Sequence, residues 1–200
     1  MEVIDKLWIT DHTKGLKLEG FRSLNVSVVD NEFCTANTSI ESTVCTRCYA
    51  RSMERRYTTF ADRIAHNTKM LAREFVPRAV IDRMGITDRF FRFHSVGELY
   101  GYVHYNNLCR IAESYPETRF ALWTKRPRVV QGPAKPDNLI LILSSPFLGA
   151  PAPLEPPFDK VFTVYNKGEE LPDFVCSGKC INCLVCYTDN DIQYISEHVR

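Results

Sequence analysis

Residues Leu139 to Ser145 read LILILSS, a stretch without alternation of polar and apolar positions. A strand of that kind is covered on both faces, which is the condition of parallel sheet inside an α/β layer structure. Other segments supply its partners. Leu24 to Val29 (LNVSVV) is β-rich and ends at the turn signal Asp30-Asn31. Phe90 to Ser95 (FFRFHS), Arg119 to Thr124 (RFALWT) and Val161 to Asn166 read as further strands. Helical periodicity lies between them. Phe60, Ile64, Leu71 and Phe75 share one helical face, with Thr59 as N-cap. Pro77 opens a short helix that stops near Gly85, and another helix follows Gly97-Glu98 through Leu108, Ile111, Ala112 and Tyr115. A proline-rich loop (Pro146, Pro151, Pro153, Pro156, Pro157) precedes the last strand, and a tail ends in a short helix near Ile192 to His198.

Strands alternating with helices define βαβ units. The chain has 200 residues, fewer than the roughly 250 of a closed eight-fold barrel. The expected fold class is therefore α/β: a reduced or partial (β/α) barrel of about five mainly parallel strands, helices outside, and a cysteine-rich C-terminal tail. One domain is expected over 1–200, with an N-terminal segment 1–23, the partial barrel 24–166, and a tail 167–200 packing on it. The composition, 44% hydrophobic and 24% charged, is that of an ordinary globular chain. With 25 basic and 24 acidic side chains there is no strong nucleic-acid signal. The longest aliphatic run, Leu139 to Leu143, is too short for a membrane span, and MEVIDKLWITDHTKG does not read as a secretory leader. A cytoplasmic location is the corresponding expectation.

Eight cysteines are the anomaly, because they cluster. Cys34, Cys45 and Cys48 form one group, and Cys176, Cys180, Cys183 and Cys186 form a C-x3-C-x2-C-x2-C run. Neighbours that close are poorly placed to bridge one another but converge readily on a metal, and a reducing compartment favours the same reading. Soft thiolates select zinc, copper(I) or iron–sulfur clusters. His12, His66, His94, His104 and His198 are scattered, without zinc-finger spacing. The repeated short steps point to a cluster-binding run, with one 4Fe–4S cluster or two. The zinc alternative is a four-cysteine site built, for instance, from Cys45/Cys48 and Cys183/Cys186. Cys109, beside the apolar face of a predicted helix, reads as a small buried hydrophobe. In parallel α/β folds, chemistry sits where loops leave the C-terminal ends of strands. The first cysteine loop, His94 to Glu98 and Thr124 to Arg126 are all expected on that rim.

The motifs CTRCYA (Cys45 to Ala50), FHSVGELY (Phe93 to Tyr100), FALWTKRP (Phe120 to Pro127) and NLILILSS (Asn138 to Ser145) stand in order ahead of the terminal cysteine run. In this the sequence resembles the radical-SAM-like proteins of bacteriophages, in particular the gene-product-88 group. The resemblance implies a radical-SAM-like fold and a 4Fe–4S cluster held by three cysteines after the first strand. Its open iron would bind S-adenosylmethionine, and Gly97-Glu98 resembles the glycine–glutamate motif near the methionine amine. The usual C-x3-C-x2-C loop is replaced here by ten residues between Cys34 and Cys45, while the standard spacing recurs at Cys176, Cys180 and Cys183. A lengthened loop still closes, because its entropic cost grows only logarithmically.

Each candidate also has a plain structural role to weigh. Glu98 binds a substrate amine or serves as a first-turn helix acid. Lys125 and Arg126 hold a carboxylate or phosphate, or form a solvated turn before Pro127. His94 is a packed, hydrogen-bonded histidine more readily than a ligand. Arg47, Arg51, Arg55 and Arg56 read as an exposed helix face, or as counter-charge to a cluster or an anionic partner. Tyr49, Tyr102 and Tyr105 read as core or rim packing. The leading functional expectation is an iron–sulfur protein that, if enzymatic, cleaves S-adenosylmethionine and acts on a small-molecule substrate. The alternative is a non-enzymatic, metal-stabilised structural or host-interaction protein with iron–sulfur or zinc in its tail.

Overall fold

A computed structural model of the chain describes residues 6–132, 134–172 and 174–199. Its centre is a mixed eight-stranded sheet. The strands are β1 (Ile9–Asp11), β2 (Arg22–Leu24), β3 (Phe90–Phe93), β4 (Arg119–Thr124), β5 (Leu139–Ser144), β6 (Lys160–Tyr165), β7 (Phe174–Val175) and β8 (Tyr194–His198). Their order is β1-β2-β3-β4-β5-β6-β8-β7, and only the β1–β2 pair is antiparallel. The sheet is open, with β1 and β7 at its edges.

Six α-helices accompany it among the described residues: α1 (Glu32–Asn37), α2 (Tyr49–Arg56), α3 (Thr58–Arg73), α4 (Arg78–Asp82), α5 (Tyr102–Ser114) and α6 (Cys180–Cys183). Strand alternation divides the side chains between two faces. Leu24, Phe91, Phe93, Phe120, Leu122, Leu139, Leu141 and Val161 face one core with Leu71 of α3, Ile81 of α4 and Leu108 and Ile111 of α5. Ala121, Ile140, Ile142, Phe162 and Ile195 face a second core on the opposite side. That side is covered by Leu18 and Phe21 from the N-terminal segment and by Tyr187 from the tail. β5, buried at every position, is the strand expected to be covered on both faces.

Several expected elements shift. The strand expected at Leu24 to Val29 lies at Arg22–Leu24 and is preceded by β1, which was not expected; residues beyond Leu24 leave the ladder because side chains take over most of their hydrogen bonding, as described below. The tail's final segment is the strand β8, not a helix: its alternating Tyr194, Ile195 and Ser196 continue the sheet beside β6. Thr59 lies inside α3, whose N-cap position is Tyr57, and Phe75 falls beyond the helix end and is 54% exposed. The core that α3, α4 and α5 share with the sheet is also lined by Val130, from a 3₁₀ turn at Pro127–Val130, and by Phe158 of the proline-rich loop.

Candidate metal centre at the strand-end rim

The loop after β2 is built from side-chain caps. Glu54 of α2 is buried, and its carboxylate accepts from the Ser27 hydroxyl and from the backbone N–H groups of Val28 (2.9 Å) and Val29 (3.3 Å). Asn31 caps α1, its Oδ1 accepting from the Cys34 N–H at 3.3 Å while its Nδ2 donates to the carbonyls of Glu98 and Leu99. Cys34 is thereby fixed to the loop that follows β3. The chain then crosses the rim. Thr43 forms a bridge with Phe147 in the loop after β5, and Val44 N–H donates to the Pro146 carbonyl at 3.0 Å. A 3₁₀ turn at Val44–Arg47 carries Cys45, and Cys48 precedes α2. The ten residues between Cys34 and Cys45 thus span the distance from the β2 side of the rim to the β5 side. Cys34 and Cys48 are backed by a small apolar cluster of Val28, Ala50, Ile64 and Val96.

Cys34, Cys45 and Cys48 are unpaired, half-buried and within electrostatic reach of one another and of Lys125. Burial pushes the Cys34 thiol up to about 12, with Glu98 adding to the rise and Lys125 opposing it. Burial also raises Cys45, again against Lys125. For Lys125 burial works against the charge, but Glu98 and the three thiols outweigh it and raise its pKa. Among the described residues the Lys125 ammonium has no ion-pair partner.

The other expected rim residues are gathered here as well, but their groups are engaged. The Glu98 carboxylate accepts from the Leu99 N–H (2.8 Å), the Thr124 hydroxyl (2.6 Å) and the Lys125 N–H (2.9 Å), tying the end of β3 to the end of β4. Arg126 donates to the carbonyls of Leu99 (2.7 Å) and Tyr100 (2.8 Å), and its guanidinium lies 5.2 Å from the ring centroid of Phe33. It braces α1 from below as Asn31 does from within. Gly97 has φ +134, and a Cβ there would meet Val26 Cγ2 at 2.6 Å and Val26 backbone atoms at 3.2 Å; only glycine admits that approach.

His94, with φ +59, and His104 of α5 are both buried, with Nε2 atoms 3.4 Å apart. The Tyr100 N–H donates to His104 Nδ1, so a neutral His104 carries its proton on Nε2 and donates to His94 Nε2. The His94 proton is then on Nδ1, which is buried without a partner. Burial holds His104 down to about 3; burial, with His104 and Arg92 beside it, holds His94 well below its usual range.

The tail cysteines occupy different ground. Cys176, Cys180 and Cys186 pack against the second core, and the Cys180 N–H donates to the Lys17 carbonyl at 3.0 Å. Burial pushes Cys186 up to about 12, against Arg92. Burial raises Cys180 too, against Arg92 and Lys17 and with Cys176 and Cys183 adding to the rise. Arg92 of β3 lies 3.8 Å over the Trp123 ring. Cys109 is 3% exposed in the helix-side core, as a small apolar residue would be. Glu54, Asn31, Arg92 and the His94–His104 pair were not singled out as a framework by the sequence; as single polar residues on helices and strands they carry no spacing signal.

Among the described residues, no three His, Cys, Asp or Glu side chains are gathered closely enough to hold a single metal ion. A four-iron cluster spreads its thiolates around a cube of metal and sulfide, so the relevant test is the donor chemistry. Three unpaired thiols within electrostatic reach of one lysine ammonium are soft anionic donors beside a counter-charge, the chemistry that an anionic iron–sulfur group would require.

The fold and rim define a mixed α/β protein with a largely parallel sheet and a thiol-bearing surface at the C-terminal ends of its strands. Residues 8–148 match the Gene product 88 family, and the chain belongs to it. That family is of phage type, which supports a phage protein. No curated protein and no solved structure matches the chain. Among the described residues no helix is long and apolar enough to cross a membrane.

Proposed function

We propose that this protein binds a 4Fe–4S cluster through Cys34, Cys45 and Cys48 on a radical-SAM-like partial (β/α) barrel. The observation that supports the reading is that three unpaired thiols and Lys125 lie within electrostatic reach of one another at the ends of parallel strands. The consecutive parallel order of β2 to β6 supports the partial barrel. With three protein ligands, a cluster keeps one iron open to an outside ligand. Lys125 offsets the thiolate charge, while Asn31, Glu54 and Arg126 hold the loops that carry the thiols. S-adenosylmethionine as that ligand has narrower support. The Glu98 carboxylate and the Arg126 Nη1 group are already committed to the fold, and among the described residues the Lys125 ammonium has no ion-pair partner.

Anaerobic reconstitution followed by iron, sulfide and zinc analysis tests the proposal. The expected result is iron and sulfide in equal amounts, with Cys45→Ala losing the rim cluster. A colourless protein with stoichiometric zinc and no sulfide, or a Cys45→Ala variant with unchanged iron, would overturn it. Adding S-adenosylmethionine to the dithionite-reduced protein and assaying 5′-deoxyadenosine then separates a radical enzyme in the host cytoplasm from a non-catalytic cluster protein.

A second reading is favoured by the packing of Cys176, Cys180 and Cys186 into the apolar cover of the sheet. There, iron–sulfur or zinc in the tail stabilises a structural or host-interaction protein, and metal binding contributes directly to folding. In that case a chelator lowers the melting temperature of the intact chain, and Cys183→Ala removes the effect.

A further inference from the structure

We infer that a pocket beside the first cysteine loop, lined by Arg47, Arg51 and Arg55, binds the phosphate or diphosphate group of a small molecule. The pocket has a volume of about 320 Å³ and lies between the rim loop and α2. Thr38, Thr46 and Ser52 also line it, with Cys45 and Cys48 beside them, and no carboxylate does.

Three features point to an anion. First, none of the three arginines makes an ion pair among the described residues. Arg51 and Arg55 stand four apart on α2, a like-charge spacing that is unfavourable without a counter-ion. Second, the Arg51 Nη1 group is closed off from solvent and has no acceptor. A charged donor left in that state is costly, so the Arg51 guanidinium is not compensated within the described residues. Third, the one acid of α2, Glu54, is committed to Ser27, Val28 and Val29 and does not neutralise the pocket.

The donor set narrows the ligand. Guanidinium forks present paired N–H groups that match phosphate oxygens. The Thr38 and Thr46 hydroxyls already donate to the carbonyls of Thr35 and Thr43, which leaves Ser52 as the hydroxyl donor. Three cations without a carboxylate call for an anion of more than one charge, and so for a phosphoryl group over a lone carboxylate. The volume is near the lower end of small-molecule sites, roughly 300–1,000 Å³, which suits a compact phosphorylated compound. The inference rests on the arginines alone and does not require a cluster.

Titration calorimetry of the full chain with inorganic pyrophosphate, and separately with orthophosphate, tests it. The expected result is saturable one-to-one binding, weakened about tenfold in R51Q. The double variant R47Q/R55Q, at exposed positions, is expected to lose at least as much and keeps the test informative if R51Q misfolds. R56Q, on the same helix but outside the pocket, is the charge-matched control and should bind as the parent does. Binding should also persist in Cys34→Ala, which separates this site from the iron proposal. Absence of saturable binding below about 10 mM, or equal weakening by R56Q and R51Q, would overturn the inference.

Discussion

The two cysteine groups sit on opposite kinds of ground. The rim group hangs on loops, held by polar braces: Glu54 under Ser27 to Val29, Asn31 and Arg126 on the carbonyls after β3, and Thr43 on the loop after β5. The tail group is packed into an apolar layer, where Tyr187 lies 4.7 Å from Phe21 and 5.9 Å from Trp123 by ring centroids. Identical side chains therefore do different things. At the rim the fold spends hydrogen bonds to present thiols around an unpaired ammonium. In the tail the thiols help cover the sheet face on which, among the described residues, the one-turn helix α6 and the Val185–Tyr187 turn lie. The difference teaches that losing a polar brace at the rim and losing apolar packing in the tail act on different parts of the fold, and mutation should separate them.

The largest effect is expected where the tail meets the sheet. Tyr187 is 1% exposed and is the largest tail side chain in the second core. Tyr187→Ala opens a cavity against Phe21, Phe90 and Trp123 and should cost about 3–5 kcal/mol. Urea unfolding measures it. A loss under about 1 kcal/mol would mean that the tail rests on the sheet without stabilising it. At the rim, Glu54→Ala strands the N–H groups of Val28 and Val29, and should cost about 2–4 kcal/mol. Its distinguishing sign is local: amide exchange in residues 25–48 should accelerate while that of β6 and β8 does not. Uniform acceleration would erase the contrast between the two regions.

Gly97→Ala probes the rim from the strand side and ranks below both. The new Cβ would press on Val26, including its backbone, at a φ of +134. Strain of that kind costs about 1–3 kcal/mol. A melting temperature equal to that of the parent would show that the β3 end relaxes without loss, and that glycine is there for another reason.

The parallel sheet was readable because β4, β5 and β6 are dense in β-formers and β5 has no polar position before its terminal Ser144. β8 was missed because Tyr194 to His198 mixes apolar and charged residues in a way that fits either period, and only pairing with β6 decides it. The stretch 25–29 has strand composition, yet Asn25 bonds Ser95 and Val96 through its side chain, and the Ser27, Val28 and Val29 N–H groups donate to the Thr68 and Glu54 side chains, so the ladder stops. At the rim, residue type and strand-end position were enough to bring Cys34, Cys45, Cys48, Glu98 and Lys125 together on paper. Which of them are used up by the fold was not legible. The bonds of Glu98 to Thr124 and of Arg126 to Leu99 join strands and loops more than twenty residues apart.

The effect that is smallest near neutral pH, and the finest test of the rim's rigidity, is on pH. His104 titrates from an ordinary value of 6.5 when unfolded to about 3 when buried, and burial lowers His94 in the same direction. Below about 6.5 the unfolded chain therefore takes up protons that the folded chain refuses. Stability is fully present above that pH and falls as the pH drops toward 3. Near pH 6 the loss is about 0.8 kcal/mol for each imidazole, and it steepens toward about 1.4 kcal/mol per pH unit. Replacing His104 by Gln removes one titrating ring from the pair. The urea midpoint of His104→Gln should then fall less steeply than that of the parent between pH 6.5 and about 4. Parallel curves would show that His104 meets the proton without unfolding, and that the wall between α5 and the rim is looser than the buried pair makes it.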